Sequence, residues 1–147
     1  MKRNATLTTL TLILGALFAA SSLFADDHQC TYKKNAGDFG YTATGIRNGI
    51  GPVAAVGRYT LDVHGNVLNG SQTISFAGLI AEETFTGTVS LNSDCTGTAV
   101  IDVVSPVLNR TTHTSFVIVD DNNEARQVFT DPDTILTLEA KRIFRHD

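Results

Sequence analysis

The sequence is poor in several residue types, and each shortage excludes a class of protein. Its 147 residues include no tryptophan, one methionine and three prolines, and only 18% of them are charged. This low charge, together with 42% hydrophobic residues, excludes a disordered chain and indicates one globular domain. Lysine and arginine total 11, against 15 acidic residues. A chain with so few and such scattered basic residues is poorly suited to binding nucleic acid, and none is predicted as a partner.

Long hydrophobic runs are also lacking, apart from one at residues 10–23. Two basic residues precede this run, and the small residue Ala25 follows it directly before Asp26. A basic start, an apolar core and a small residue at the cleavage point are typical of a secretory signal peptide. We therefore predict that residues 1–25 are a signal peptide, with a retained membrane anchor as the alternative. No such run recurs afterwards, so a secreted or periplasmic mature chain without a membrane span is expected.

Cysteine is scarce, since Cys30 and Cys95 are the only two. Both belong to the exported portion, where an oxidising compartment makes one disulfide the simplest state. This bond would tie an N-terminal segment, residues 26–36, to a distant turn. Two free thiols or a metal pair are the alternatives, but no second ligand pair is present to complete a zinc site. No metal or other cofactor is predicted.

β-Branched residues dominate from Gly37 onward, and their period-two alternation predicts strands and no helix. Turn-forming sequences such as His64-Gly65-Asn66 and Asp131-Pro132-Asp133 separate the strands. Short connections between consecutive strands favour antiparallel neighbours. We predict eight strands, at residues 38–47, 53–64, 67–77, 80–91, 96–105, 113–120, 125–131 and 134–144.

Alternation gives most strands one apolar face, which along the third strand includes Leu68, Ile74 and Phe76. Glycine inside a strand weakens it unless the strand bends sharply or another group approaches closely, and barrels use such bends to close. We therefore predict that residues 37–147 form an all-β, single eight-stranded antiparallel up-and-down β-barrel, with a β-sandwich as the alternative. The inward glycines that favour closure are Gly45, Gly57, Gly70, Gly87 and Gly97.

A barrel of this size is either filled by its own side chains or holds one small ligand. Many inward residues are small and no tryptophan fills the space, which favours a cavity, although a narrow filled barrel is the alternative. Alternation assigns these polar residues to the lumen: Tyr41, Tyr59, Gln72, Glu83, Ser115, Gln127 and Arg142.

Glu83 and Arg142 are expected to pair if both face inward, because isolated charges in an apolar interior are costly. The alternative leaves both at the barrel ends in solvent. Together with Tyr41, Tyr59 and Gln72, this pair is predicted to orient the polar end of a bound ligand. No catalytic residue is assigned.

The strand at 113–120 is apolar on both faces, through Val117 and Val119 as well as Phe116 and Ile118. Something is therefore expected to cover its outer face. The candidates are the segment tied down by Cys30 and a partner subunit, which would make the protein a homo-oligomer.

Several segments resemble a family of small, mostly uncharacterised secreted bacterial proteins. Among them are Phe39-Gly40-Tyr41-Thr42, Asp94-Cys95-Thr96-Gly97-Thr98 and Phe116-Val117-Ile118-Val119-Asp120-Asp121, and the resemblance covers roughly residues 30–142. It implies a secreted β-barrel and supplies no established catalytic residues. The chain is also similar, at the level of fold, to calycin and allene-oxide-cyclase barrels. It lacks the tryptophan of the lipocalin Gly-x-Trp signature and those that avidins place against biotin, so neither activity is expected.

Three functions remain open. The first is an exported, soluble barrel that binds a small, mostly apolar ligand with one polar end. The second is a structural, self-assembling or surface-interaction module that uses the strand at 113–120. The third is an isomerase or cyclase, in which Glu83 with a raised pKa, or a tyrosine, assists proton movement.

Overall fold

The computed structural model describes residues 29–145, which form one sheet closed into a barrel. Each strand pairs antiparallel with the next, and the last strand pairs with the first. The predicted eight-stranded antiparallel barrel is therefore confirmed, whereas the predicted signal peptide, residues 1–25, lies outside the described residues. The elements are α1 (Tyr32–Asn35), β1 (Gly37–Arg47), β2 (Gly51–Leu61), β3 (Asn66–Phe76), β4 (Leu79–Leu91), β5 (Thr96–Val104), β6 (Arg110–Val119), β7 (Glu124–Phe129) and β8 (Thr134–Arg145).

The strand boundaries agree with the predicted ones to within three residues. Strand β2 ends at Leu61, earlier than predicted, because the Asp62 carboxylate closes the next turn. It accepts hydrogen bonds from the backbone N–H groups of His64 and Asn66, both at 2.8 Å. Such local side-chain bonds to the backbone favour a turn over a continued strand.

One short helix, α1, contradicts the prediction that the chain has no helix. Its N-cap is Thr31, whose hydroxyl oxygen accepts a hydrogen bond from the backbone N–H of Lys34 at 3.3 Å. A cap of this kind satisfies one of the free N–H groups of the first turn. Four residues are too few for a helical hydrophobic pattern, which is why alternation analysis did not detect α1.

The predicted disulfide between Cys30 and Cys95 is present and fastens the segment before β1 to the β4–β5 turn. Tyr32 adds a second attachment. Its hydroxyl donates to the Val89 carbonyl and accepts from the Leu91 N–H, both at 3.1 Å. Residues 29–36 consequently lie across one end of the barrel, hereafter the closed end.

The closed end also holds the β2–β3, β4–β5 and β6–β7 turns, since consecutive strands alternate in direction. The other four connections lie at the opposite end, hereafter the open end. Because residues 29–36 cover an end, they leave the outer face of β6 uncovered, and Val117 on that face is 39% exposed. The expectation that the segment tied down by Cys30 covers this face is therefore wrong.

A β-bulge changes which residues of β3 face inward. Val67 pairs with Gly87 and Gly70 pairs with Phe85, which leaves one extra residue on β3 between these pairs. Asn69 accommodates it with a left-handed backbone, φ 52°. The predicted inward position of Leu68 is wrong, and the neighbouring Val67 is buried instead.

Strand β6 places Thr114 and Phe116 inside the barrel, so Ser115 points outward, opposite Thr98 and Val128. The assignment of Ser115 to the lumen is therefore wrong. Alternation could not decide this register, because the strand carries apolar residues on both faces and a shift by one residue exchanges them.

Two of the inward glycines show why no larger residue fits at these positions. A Cβ atom on Gly70 would lie 2.3 Å from the ring of Phe85. On Gly57 it would lie 2.5 Å from the carbonyl oxygen of Ser71 and 2.7 Å from the hydroxyl of Tyr41. The close approach predicted from glycine in strand interiors is confirmed at both positions.

Removing the disulfide should destabilise the barrel without changing its fold. For the double variant Cys30→Ala/Cys95→Ala, we expect the free energy of unfolding to fall by about 4 kcal/mol. The physical reason is that the bond restricts the unfolded chain over a separation of 65 residues. Urea denaturation followed by circular dichroism measures the change. A loss below about 1 kcal/mol would contradict the disulfide's stabilising role.

Candidate functional site

The barrel encloses a cavity of about 350 Å³. It extends from Asn35 near the closed end to Pro132 at the open end. Small inward residues leave this space, as the sequence predicted. The apolar part of its wall includes Ala43, Val53, Ala55, Leu61, Val67, Ile74, Phe85, Ala99, Ile101, Val103, Phe116 and Leu138.

A chain of hydrogen-bonded side chains runs along one wall towards the open end. The Tyr41 hydroxyl donates to Gln72 Oε1 at 2.5 Å, and Gln72 Nε2 donates to Glu83 Oε2 at 2.6 Å. The two terminal nitrogens of Arg110 donate hydrogen bonds to the same carboxylate, at 2.8 Å to Oε1 and 2.6 Å to Oε2. The chain thus joins β1, β3, β4 and β6.

The Glu83–Arg110 ion pair is almost completely shielded from water. The Glu83 side chain is 0% exposed and that of Arg110 is 11% exposed. Burial acts to raise the pKa of Glu83, but hydrogen bonds from Arg110, Ser105 and Gln72 and the charge of Arg110 outweigh it and lower the pKa overall. Glu83 is therefore an ionised structural partner, and its expected raised pKa is wrong.

The predicted pairing of Glu83 with Arg142 is also wrong, because the two residues lie towards opposite ends of the barrel. The Arg142 guanidinium donates to the carbonyl oxygens of Ala36 at 2.9 Å and Asn122 at 2.6 Å. It also lies over the Phe39 ring, 5.3 Å from its centroid. Arg142 consequently holds the closed end together. Glu83 is buried, so the alternative that left it in solvent is also excluded.

Sequence reasoning missed Arg110, because the predicted strand began three residues later. Its position in the sequence nevertheless fits the alternation of the inward residues of β6. Arg110, Thr112, Thr114 and Phe116 are every second residue of the strand, and all four line the cavity. Extending the alternation back towards the N-terminus would have placed it in the lumen.

Tyr59 lies deeper in the cavity, near the closed end. Its ring stacks on Phe39, with centroids 5.3 Å apart, and lies 6.1 Å from the ring of Tyr41. Among residues 29–145, no group forms a hydrogen bond with the Tyr59 hydroxyl. Burial raises the pKa of Tyr59 well above its ordinary value, although the charge of Arg142 acts in the opposite direction. The hydroxyl therefore stays protonated and available as a donor.

Three of the five predicted site residues, Tyr41, Tyr59 and Gln72, line the cavity. Gln127, also predicted to face inward, lines it as well. The role of these residues in binding a ligand stays a prediction.

The open end has an apolar border. Exposed aliphatic side chains occupy all four of its connections or the strand ends beside them, and they include Ile46, Ile50, Leu79, Ile80, Val104, Val107, Leu108 and Ile135. A molecule that enters the cavity from this end would pass an apolar surface before reaching the apolar wall.

Comparison with known proteins finds no matching family model, no matching curated protein and no matching solved structure. The resemblance to secreted bacterial barrels therefore stays a prediction. No helix within residues 29–145 is long and apolar enough to cross a membrane. Over the same range, no three histidine, cysteine, aspartate or glutamate side chains are grouped as a metal site.

Replacing Glu83 by glutamine should destabilise the protein in a pH-dependent manner. At pH 7, we expect Glu83→Gln to lower the free energy of unfolding by about 3 kcal/mol, because it leaves Arg110 without its counter-charge. The lowered pKa means that this contribution is complete above the ordinary glutamate value of 4.5 and is lost as pH falls through the folded-state pKa. The difference between wild type and variant should therefore shrink below about pH 4.5.

The neighbouring Glu82 provides a matched control for this measurement. It faces outward, where its carboxylate accepts a hydrogen bond from the Thr73 hydroxyl at 2.7 Å. Urea denaturation between pH 3 and pH 7 should show a change of about 0.5 kcal/mol or less for Glu82→Gln. A stability difference for Glu83→Gln that is independent of pH would contradict the ionised state assigned to Glu83.

Proposed function

We propose that the protein is an exported binding barrel that takes up one small, mostly apolar molecule in its lumen. The observation that carries this proposal is the cavity of about 350 Å³ with its apolar wall. This volume falls within the range of about 300–1,000 Å³ usual for small-molecule sites. An apolar wall offers water few hydrogen bonds and favours an apolar occupant.

The shape of the barrel supports binding through one entrance. Residues 29–36 and the disulfide cover the closed end, while the open end has an apolar border. The ion pair of Glu83 with Arg110 lies near that entrance and links the strands around it. These features support entry of an apolar ligand through the open end.

A role in binding is better supported than isomerase or cyclase activity. An acid–base mechanism through Glu83 needs a carboxyl group that can exchange a proton with a substrate near neutral pH. Both carboxylate oxygens of Glu83 are engaged by Arg110, and its pKa is lowered. The tyrosines in the lumen have raised pKa values, mainly through burial, which makes them donors and not bases.

Export is part of the same proposal. The order of basic residues, apolar run and small residue within residues 1–25 supports a signal peptide. The disulfide between Cys30 and Cys95 supports an oxidising destination, which is the periplasm or the exterior of a bacterial cell.

Filling the lumen should weaken binding of an apolar probe. The probe N-phenyl-1-naphthylamine is small, uncharged and apolar, and its fluorescence rises in apolar surroundings. We expect wild-type protein to bind one equivalent, and Ala55→Phe, which places a ring in the cavity, to weaken binding at least tenfold. Ala54→Phe is the matched control, because Ala54 is the exposed neighbour on the outer face of β2. Equal probe affinity in both variants, with circular dichroism confirming that both fold, would exclude the lumen as the binding site.

Export can be tested independently of binding. When the full chain is produced in a bacterial host, we expect the protein in the periplasmic fraction to begin at Asp26, as measured by intact mass. Leu14→Arg places a charge inside the apolar run and should leave an uncleaved product in the cell interior. Recovery of the uncleaved wild-type chain from the membrane fraction would support the anchor alternative instead.

A further inference from the structure

Along most of the cavity wall, the charged side chains are paired with oppositely charged side chains of the protein. Arg110 is held by Glu83 through two hydrogen bonds. Glu124, towards the closed end, accepts from Arg126 at 2.6 Å and lies 3.4 Å from the Lys141 ammonium group. An ionised head group that entered this space would lose its hydration and gain no counter-charge, which is strongly unfavourable.

Two neutral polar side chains of the wall, Tyr59 and Gln127, can donate hydrogen bonds into the cavity. The Tyr59 hydroxyl reaches into the cavity and has no partner among residues 29–145. Gln127 uses its Oε1 atom to accept from the Thr114 hydroxyl at 3.0 Å, which leaves the amide group to donate. Both groups face the cavity, where a ligand that carries an acceptor oxygen can accept a hydrogen bond from them.

The position of Tyr59 is well defined by its surroundings. Its ring stacks on Phe39, which in turn lies beneath the Arg142 guanidinium. The hydroxyl is thus held near the closed end, at the far end of the cavity from the entrance. In surroundings of such low polarity a single hydrogen bond orients a ligand strongly.

We propose that the lumen selects uncharged apolar molecules that carry a carbonyl or ether oxygen, and that the Tyr59 hydroxyl donates a hydrogen bond to this oxygen at the closed end. The apolar part of the ligand then extends towards the open end, along the aliphatic wall. This inference rests on the proposed binding function and adds the chemical class of the ligand and its orientation.

Arg47 provides the strongest competing arrangement. It is the last residue of β1, lies at the entrance and is partly exposed. A carboxylate held there would leave its apolar chain in the lumen and its charge in water. The experiment must therefore compare a neutral ligand with an anionic one of equal length.

The test uses N-phenyl-1-naphthylamine as the reporter, with 2-decanone and decanoate as competitors at pH 8. We expect 2-decanone to displace the probe from wild-type protein at least tenfold better than decanoate does. Tyr59→Phe removes one neutral hydrogen bond and should weaken 2-decanone binding about five- to tenfold. The same variant should bind the probe itself, which has no carbonyl or ether oxygen, within about twofold of wild type. Thr98→Val removes a hydroxyl from the exposed outer face of β5; it is the control outside the lumen and should leave both affinities unchanged.

The outcomes distinguish this inference from the proposed function. Preference for decanoate, lost in Arg47→Gln, would overturn the neutral ligand class while leaving the lumen as the binding site. Unchanged 2-decanone affinity in Tyr59→Phe would overturn the role of Tyr59. Failure of wild-type protein to bind the probe and both competitors would overturn the proposed function as well.

Discussion

The pairing of β8 with β1 is the interaction on which the rest of the structure depends. Residues 37–47 of β1 are bonded to β8 along their whole length, so the sheet closes on itself. Closure removes both sheet edges and creates an interior that only side chains or a ligand can fill. Because small residues and glycines occupy many inward positions, the closed sheet retains a cavity.

The two ends of the barrel differ, and this difference gives the cavity a direction. At the closed end, Arg142 binds the backbone carbonyls of α1 and of the β6–β7 turn, and the disulfide adds a covalent link. Near the open end, the Glu83–Arg110 pair joins β4 to β6, which are not neighbours in the sheet. Both sets of contacts satisfy charged groups within the protein. Apart from Arg47 at the entrance, what remains for a ligand is apolar surface and neutral polar groups, among them the donors of Tyr59 and Gln127.

The candidate site could be predicted from the sequence only in part. Alternation correctly brought Tyr41, Tyr59 and Gln72 into the lumen, because their strands each have one clearly apolar face. It failed for the partner of Glu83, since alternation gives the face of a residue but not its height in the barrel. Height depends on how far each strand is shifted against its neighbours, and that shift brings Glu83 to Arg110 and separates it from Arg142.

The sequence by itself determined the strands, their antiparallel order and the disulfide, because these follow from period-two alternation, local turn chemistry and the presence of only two cysteines. Only the tertiary structure decided the register of β6, the bulge at Asn69, the location of α1 and the pairing of the buried charges. The physical reason is the range of the interactions. Turns and alternation involve residues close in the chain, whereas these features depend on contacts between strands far apart in sequence, which exist only once the barrel has closed.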